Sequence, residues 1–177
     1  MCGSGTFVIE ACEIASRLHP GRSRNFAFEK LYNFLPEEWN TLKEQTQPIT
    51  PAYSFTGYDR DKGAIERAIH NSKNAGISAT TAYSVQPISA LKNTTEHKTG
   101  LIITNPPYGI RLGDVKKLTP LYQQLGHIVR THYKGWRFGL LTNNDKLAKA
   151  TEIKFSENNV KFSHGGIPVK LFYCEEI

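Results

Sequence analysis

The chain has 177 residues, 22 of them Lys or Arg and 16 Asp or Glu, for a formal net charge of +6 at neutral pH. That length predicts one domain. A hydrophobic share of 39% with 11% aromatics excludes a disordered chain, and 14 Gly with 9 Pro exclude collagen-like or low-complexity sequence. Apolar runs such as Phe7-Val8-Ile9 and Leu101-Ile102-Ile103 end far short of the ~20 residues of a membrane span, and no signal-peptide pattern opens the chain.

Met1-Cys2-Gly3-Ser4-Gly5-Thr6 reads as a turn carrying two glycines, and Thr6 to Leu18 as a helix with Val8, Ala11, Cys12, Ala15 and Leu18 on one face. A glycine turn that opens a helix ordinarily follows a strand. None precedes this one, so the chain is expected to begin in the middle of a fold. His19-Pro20-Gly21 breaks the helix. Residues 26–47 are aromatic-rich and predicted helical on either side of Pro36, closed by Pro48 and Pro51. Ser54 to Tyr58 predicts a strand. Asp59 to Ala75 predicts a helix with Ala64, Ile65, Ala68, Ile69 and Ser72 on one face, stopped by Gly76. Thr80 to Val85 predicts a second strand.

Gly100 to Thr104 carries Leu-Ile-Ile, a run suited to a buried strand, and Asn105-Pro106-Pro107-Tyr108-Gly109 stops it. Leu118 to His132 is an amphipathic helix, Trp136 to Thr142 a strand, and Asp145 to Ala150 a short helix. Val160 to Ser163 and Val169 to Tyr173 pair as a hairpin across residues 164–168. The alternation predicts an α/β fold with an open, mainly parallel sheet and an antiparallel C-terminal edge. Ligands in such sheets bind at the carboxyl ends of strands.

Three stretches at such ends can carry chemistry. In Cys2-Gly3-Ser4-Gly5-Thr6, two glycines admit a ligand close to the backbone, and the following helix start offers unpaired N–H groups. An ordinary loop has the same composition, and Val8 breaks the GxGxxG pattern. In Gly57-Tyr58-Asp59-Arg60-Asp61, an acidic residue at a strand end can accept hydrogen bonds from both ribose hydroxyls. Asp59 or Asp61 can instead cap the next helix. Gly5 and Asp59 are 54 positions apart, against an interval of about 20 in the dinucleotide fold, so residues 19–53 read as an insertion. In Asn105-Pro106-Pro107-Tyr108, two prolines restrict the backbone. They hold the Asn105 amide oxygen and the Pro106 carbonyl as fixed acceptors beside an aromatic face. That arrangement suits a planar ring bearing an exocyclic NH2.

In this order the three motifs resemble the Rossmann-like class I methyltransferases that use S-adenosyl-L-methionine (SAM) to modify exocyclic amines. The closest likeness is to the ribosomal RNA large subunit methyltransferase K/L type, which acts on guanine N2. The resemblance runs through Asn74-Ala75-Gly76-Ile77, Thr104 to Gly109, Arg111-Leu112-Gly113 and Gly135-Trp136, nearly the whole chain. It implies one methyltransferase domain over residues 1–177, lacking the family's first strand and its N-terminal THUMP module. It implies that Gly3, Ser4, Gly5 and Thr6 line the methionine part of SAM and that Asp59 holds the ribose, with Cys2 and Arg60 counted among the cofactor residues. Asn105 and Pro106 then bind the target amine and Tyr108 stacks on the base. The family usually has an acidic residue near the adenine, where this chain has Val85-Gln86-Pro87-Ile88. Ribosomal RNA is the implied partner, with Arg22, Arg24, Arg111, Lys116 and Lys117 available to phosphates or simply solvated. Adenine N6 in DNA and guanine in tRNA suit the same motif. An inactive RNA-binding fragment of a split gene is a reading of a different class, and a nicotinamide-dependent dehydrogenase shares the sheet but gives no use for the Asn-Pro-Pro-Tyr corner.

Three cysteines, Cys2, Cys12 and Cys174, form neither a disulfide framework nor a zinc pattern. A reducing cytosol, no metal and no membrane association are expected. No Pro-Cys dipeptide occurs, so direct transfer without a covalent cysteine intermediate is expected. His70 and His127 read as helix-surface residues, and Trp39 and Trp136 as packing anchors.

Overall fold

A computed structural model of the chain describes residues 1–177 except Thr46, residues 110–113 and the side chains of Asp114 and His164. Arg111, Leu112 and Gly113 of the family resemblance therefore lie outside the described residues. The chain divides into two compact units, Cys2–Ser84 and Met1 with Val85–Ile177, and the strands form a two-stranded and a four-stranded sheet.

The first unit contains α1 (Thr6–Ala15), a 3-10 turn (Ala27–Lys30), α2 (Pro36–Glu44), β1 (Phe55–Asp59), α3 (Lys62–Asn74) and β2 (Thr81–Val85). β1 pairs with β2, and α1 and α3 pack on β1 and on each other. The α3 face is buried at Ala64, Ile65, Ala68 and Ser72, while Ile69 stays exposed. Gly57 in β1 lies under Tyr83, where a methyl group would come 2.7 Å from the ring. Only glycine lets that ring seat on the strand.

The helix ends follow backbone chemistry. Asp61 caps α3 by accepting the Gly63 N–H at 2.8 Å. At its other end Gly76 (φ +71°) allows Gly76 N–H to reach Lys73 O and Ile77 N–H to reach Ser72 O. The reading of α1 as continuing to Leu18 is corrected: it stops at Ala15. The same two-bond closure forms there, Arg17 N–H to Ile14 O and Leu18 N–H to Glu13 O, with Arg17 at φ +55°. No glycine marks that stop, so periodicity alone overruns it.

Residues 19–53 hold an aromatic cluster. Phe26 stacks on Phe28 at 5.4 Å, both meet the Trp39 ring edge-on, and the Arg24 guanidinium lies 4.2 Å from the Phe26 centroid. Pro36 begins α2 instead of interrupting it, because a proline at the first helical position gives up only an N–H that would have no partner there.

The second unit contains β3 (Leu101–Thr104), α4 (Asp114–His132), β4 (Arg137–Thr142), α5 (Asp145–Ala150), β5 (Val160–His164) and β6 (Ile167–Cys174), after a 3-10 turn at Ile88–Ala90. Strand order is β3-β4-β6-β5. β3 and β4 are parallel, with Thr104 opposite Leu140; β6 is antiparallel to both β4 and β5. Tyr122, Leu125 and Val129 of α4 pack with Phe138, Leu140, Leu147 and Phe172 as the core. A methyl at Gly126 would fall 1.9 Å from Thr151 O, so this mid-helix glycine admits the close approach of α4 to the end of α5. α4 starts at Asp114, a turn before the expected Leu118, and carries Pro120 inside it. The hairpin turn is the two residues Gly165 and Gly166, both at positive φ (58° and 80°), not the five residues expected. Those angles match the strand twist and let pairing continue to His164 and Ile167.

The α/β class and the antiparallel C-terminal hairpin are as expected. Among the described residues no strand precedes β1, and β1 and β3 each end a sheet.

Two substitutions test the helix stops. Arg17→Gly relieves a left-handed L-residue and is expected to raise unfolding free energy by about 1 kcal/mol; Gly76→Ala imposes one and is expected to lower it by about as much. Urea denaturation of both variants measures the pair, and equal stability of all three proteins would refute the assignment.

Candidate active site

In the first unit, the Cys2–Thr6 turn is tied down along its length. Cys2 N–H donates to Tyr58 O at 2.9 Å and Gly5 N–H to Cys2 O at 3.0 Å. Gly3 N–H donates to Asp59 Oδ2 at 2.9 Å, and Asn71 Nδ2 on α3 donates to Ser4 O at 3.0 Å. Gly3 and Gly5 both have positive φ (56° and 86°). They differ in what surrounds them. A methyl on Gly3 would meet nothing within 4 Å, while one on Gly5 would lie 3.0 Å from Ala68 Cβ and 3.2 Å from the Tyr83 ring. Gly5 therefore seats the turn and Gly3 leaves its outer side open. Gly5 also forms the N-cap of α1 without a side-chain cap, and no acidic residue occupies the first turn. The helix start thus keeps N–H groups of the kind that receive an anion.

The other Asp59 oxygen accepts Asp61 N–H at 3.0 Å. Burial pushes the Asp59 carboxyl up, but hydrogen bonds from the Asp61 and Gly3 backbone, the charge of the amine at Met1 and a bond from the Arg60 backbone together outweigh it and hold the group below its ordinary value of 3.8. It is an ionised acceptor with a fixed orientation. Arg60 is exposed beside it. The structure thus brings Cys2 to Thr6 and Asp59 together, and gives Asp61 the capping role. Burial and the Asp59 carboxylate raise the Cys2 thiol, which keeps it a thiol and not a nucleophile.

In the second unit, Asn105, Pro106 and Tyr108 follow the carboxyl end of β3. Pro106 is fully buried and Tyr108 packs half-buried against the core. The Asn105 Oδ1 atom is buried and has no hydrogen-bond partner among the described residues. A buried acceptor left that way costs about 1–3 kcal/mol. The Pro107 carbonyl accepts from the Tyr122 hydroxyl at 3.2 Å, and that hydroxyl lies 3.3 Å from Thr142 Oγ1. Burial pushes the Tyr122 phenol up to about 12, opposed by its bond with Thr142 and reinforced by nearby Tyr108.

Other expected site residues are engaged elsewhere. Gln86 Nε2 donates to Ala90 O at 2.8 Å. Arg22 bonds Glu13 at 2.5 Å and also the Ala75 carbonyl, pinning the loop after α1. Lys116 and Lys117 are exposed on α4. Among the described residues no group of His, Cys, Asp and Glu could hold a metal, and no helix is long and apolar enough to cross a membrane. Sequence reasoning missed Tyr83, Tyr122 and Thr142. Gly57 inside a strand was the available signal for Tyr83. Tyr122 was visible only as one more apolar position on α4.

The family model described as RMKL-like, methyltransferase domain matches residues 1–170, and the chain belongs to that family. Proteins named ribosomal RNA large subunit methyltransferase K/L are similar to it: that of Saccharophagus degradans at 36% identity over 97% of this chain, and that of Legionella pneumophila strain Corby at 37% over 98%. The chain spans about a quarter of the length of these relatives, 24% in each case. Among solved structures, a possible methylase from Clostridium difficile 630 superposes with a TM-score of 0.86 at 29% identity, covering 100% of this chain and 47% of its own. SMU.472, assigned as a methyltransferase and solved in complex with SAH, gives 0.81 at 29% identity, covering 98% and 46%.

Because the Asp59 carboxyl is depressed, its ionised form adds stability above pH 3.8, and that contribution is lost as pH falls through the lower folded-state value. Asp59→Asn is therefore expected to melt below the wild type at neutral pH, with the gap closing under acid. Thermal melts of both proteins from pH 7 downward measure this; a gap independent of pH would remove the charged role.

Proposed function

We propose that this domain transfers the methyl group of SAM to an exocyclic amine of a nucleobase, guanine N2 of 23S ribosomal RNA being the target. The carrying observation is the buried, unpartnered Asn105 Oδ1 behind a diproline corner. Such an atom is one that a substrate donor can complete.

The residues of the first unit fit the cofactor. The open outer side of Gly3, the uncapped start of α1 and the ionised Asp59 offer room, N–H donors and a diol acceptor in turn. Gly3, Ser4, Gly5 and Thr6 would hold its amino-acid end, Asp59 its ribose, and Cys2 and Arg60 flank them. When bound, SAM would supply an electrophilic methyl on a sulfonium, leaving as neutral S-adenosylhomocysteine when its sulfur–methyl bond breaks, while the methylated amine gives up one proton to water. The chain supplies position and fixed dipoles. Asn105 Oδ1 and the Pro106 carbonyl accept the two amine protons. That draws the nitrogen lone pair out of conjugation with the ring and aims it. Tyr108 gives the base an aromatic face. No side-chain nucleophile is required, in keeping with the protonated Cys2.

The names of the curated relatives support ribosomal RNA as substrate, and the motif resemblance supports guanine N2. A base in helical RNA has to leave its stack to reach such a corner, so a loop or a locally opened helix is the expected substrate.

Asn105→Ala in the whole protein is expected to bind SAM normally and to lose methyl transfer by about 100-fold or more. Titration calorimetry and a labelled-methyl assay separate the two, and near-normal turnover would take Asn105 out of the mechanism. The target is tested by mass spectrometry of nucleosides from a deletion strain. Loss of N2-methylguanosine from 23S rRNA is expected; loss of N6-methyladenine from DNA instead would transfer the proposal to that substrate.

A further inference from the structure

We infer that Tyr122 is a positioning residue for methyl transfer, its buried hydroxyl tying the diproline corner, and Asn105 with it, to the end of β4. The inference rests on the function proposed above. It begins from topology. Parallel pairing of β3 with β4 puts both carboxyl ends at one edge of the sheet, and α4 is the crossover between them. Tyr122, in the first half of α4, is fully buried except for what its hydroxyl touches: Pro107 O at 3.2 Å, after β3, and Thr142 Oγ1 at 3.3 Å, the last residue of β4.

In both bonds the Tyr122 hydroxyl is the donor, and the Pro107 carbonyl can only accept. The phenol proton is therefore shared between Pro107 O and Thr142 Oγ1, which ties the two strand ends to one buried group. Thr142 Oγ1 in turn accepts Asn144 N–H at 3.2 Å. Asn144 is itself fixed, its Oδ1 accepting Lys146 N–H at 3.0 Å and Leu147 N–H at 3.2 Å as the cap of α5. A rigid helix start thereby holds a carbonyl two residues from Asn105. Proline explains the need. Neither Pro106 nor Pro107 has an N–H with which to join a ladder, so the backbone of these two residues can be hydrogen-bonded only through its carbonyls.

Filling a core gap would require the ring of Tyr122 but not its hydroxyl. Tyr122→Phe, made in the whole protein, keeps the ring. It is expected to melt cooperatively, to keep the wild-type SAM affinity and the wild-type KM for RNA, and to lose about 10- to 100-fold in kcat, the scale of a reacting group displaced by a fraction of an ångström to an ångström. Thr142→Val should reproduce the loss and Thr142→Ser, which keeps the hydroxyl, should restore it. A second readout does not depend on turnover: the Asn105 side-chain amide signals in the NMR spectrum should shift or broaden in Tyr122→Phe and stay in place in Thr142→Ser. Unchanged kcat with unmoved Asn105 signals would overturn the inference. A wild type that transfers no methyl would sink the functional reading instead, while the Asn105 signals would still decide whether Tyr122 holds the corner.

Discussion

At the carboxyl end of a strand the ladder stops, and the backbone groups beyond it need partners from somewhere else. The candidate residues of each unit are built on that constraint. After β1, the Asp59 carboxylate turns back to take the N–H groups of Asp61 and Gly3, which fixes the acid and the glycine turn in one step. After β3, two prolines remove the N–H groups altogether, and the carbonyl of Pro107 is taken up by a buried phenol. The rest of each unit serves to bring those partners within reach: Tyr83 seats Gly5 and Gly57, and the packing of α4 on the sheet delivers Tyr122.

The two sets of residues spend different currencies of rigidity. The glycine turn is held by hydrogen bonds, because glycine brings conformational freedom that folding has to remove. The diproline corner starts stiff and requires only a tether. At the diproline corner Asn105 Oδ1 is buried and unmatched among the described residues. Beside it Tyr122, Thr142 and Asn144 are joined by hydrogen bonds. An unsatisfied buried acceptor is where a substrate donor contributes most, since its desolvation cost has already been met by the fold.

The segment of residues 19–53 is organised by aromatic rings and not by a deep core. Phe26, Phe28, Phe34 and Trp39 pack on one another, while Leu31, Tyr32, Leu35 and Leu42 remain exposed. Its tie to the rest of its unit includes Arg22, which bonds Glu13 on α1 and the carbonyl of Ala75 after α3. A residue that reads in sequence as a free cation is thereby a structural pin.

Most element identities were legible in the sequence because each rests on local chemistry. Asp61 offers a helix cap, Gly76 a helix stop, and the glycines within residues 164–168 a hairpin, although the two-residue turn emerged only with the structure. The motif residues Gly3, Gly5, Asp59 and Asn105 could be singled out for the same reason, as each needs a particular backbone or donor property visible in one residue. What the sequence could not disclose were the partners. The stop of α1 at Ala15 depends on Arg17 accepting a left-handed backbone without glycine. Gly126 looks like a weak point in α4 until Thr151 O is found beside it. Tyr122 is one apolar position among several until the crossover sets its hydroxyl between two strand ends. Local composition determines what a segment can become, but hydrogen-bond partners separated by 15 or 20 residues, as Pro107 and Thr142 are from Tyr122, meet only when the parallel pairing of β3 and β4 closes the βαβ unit.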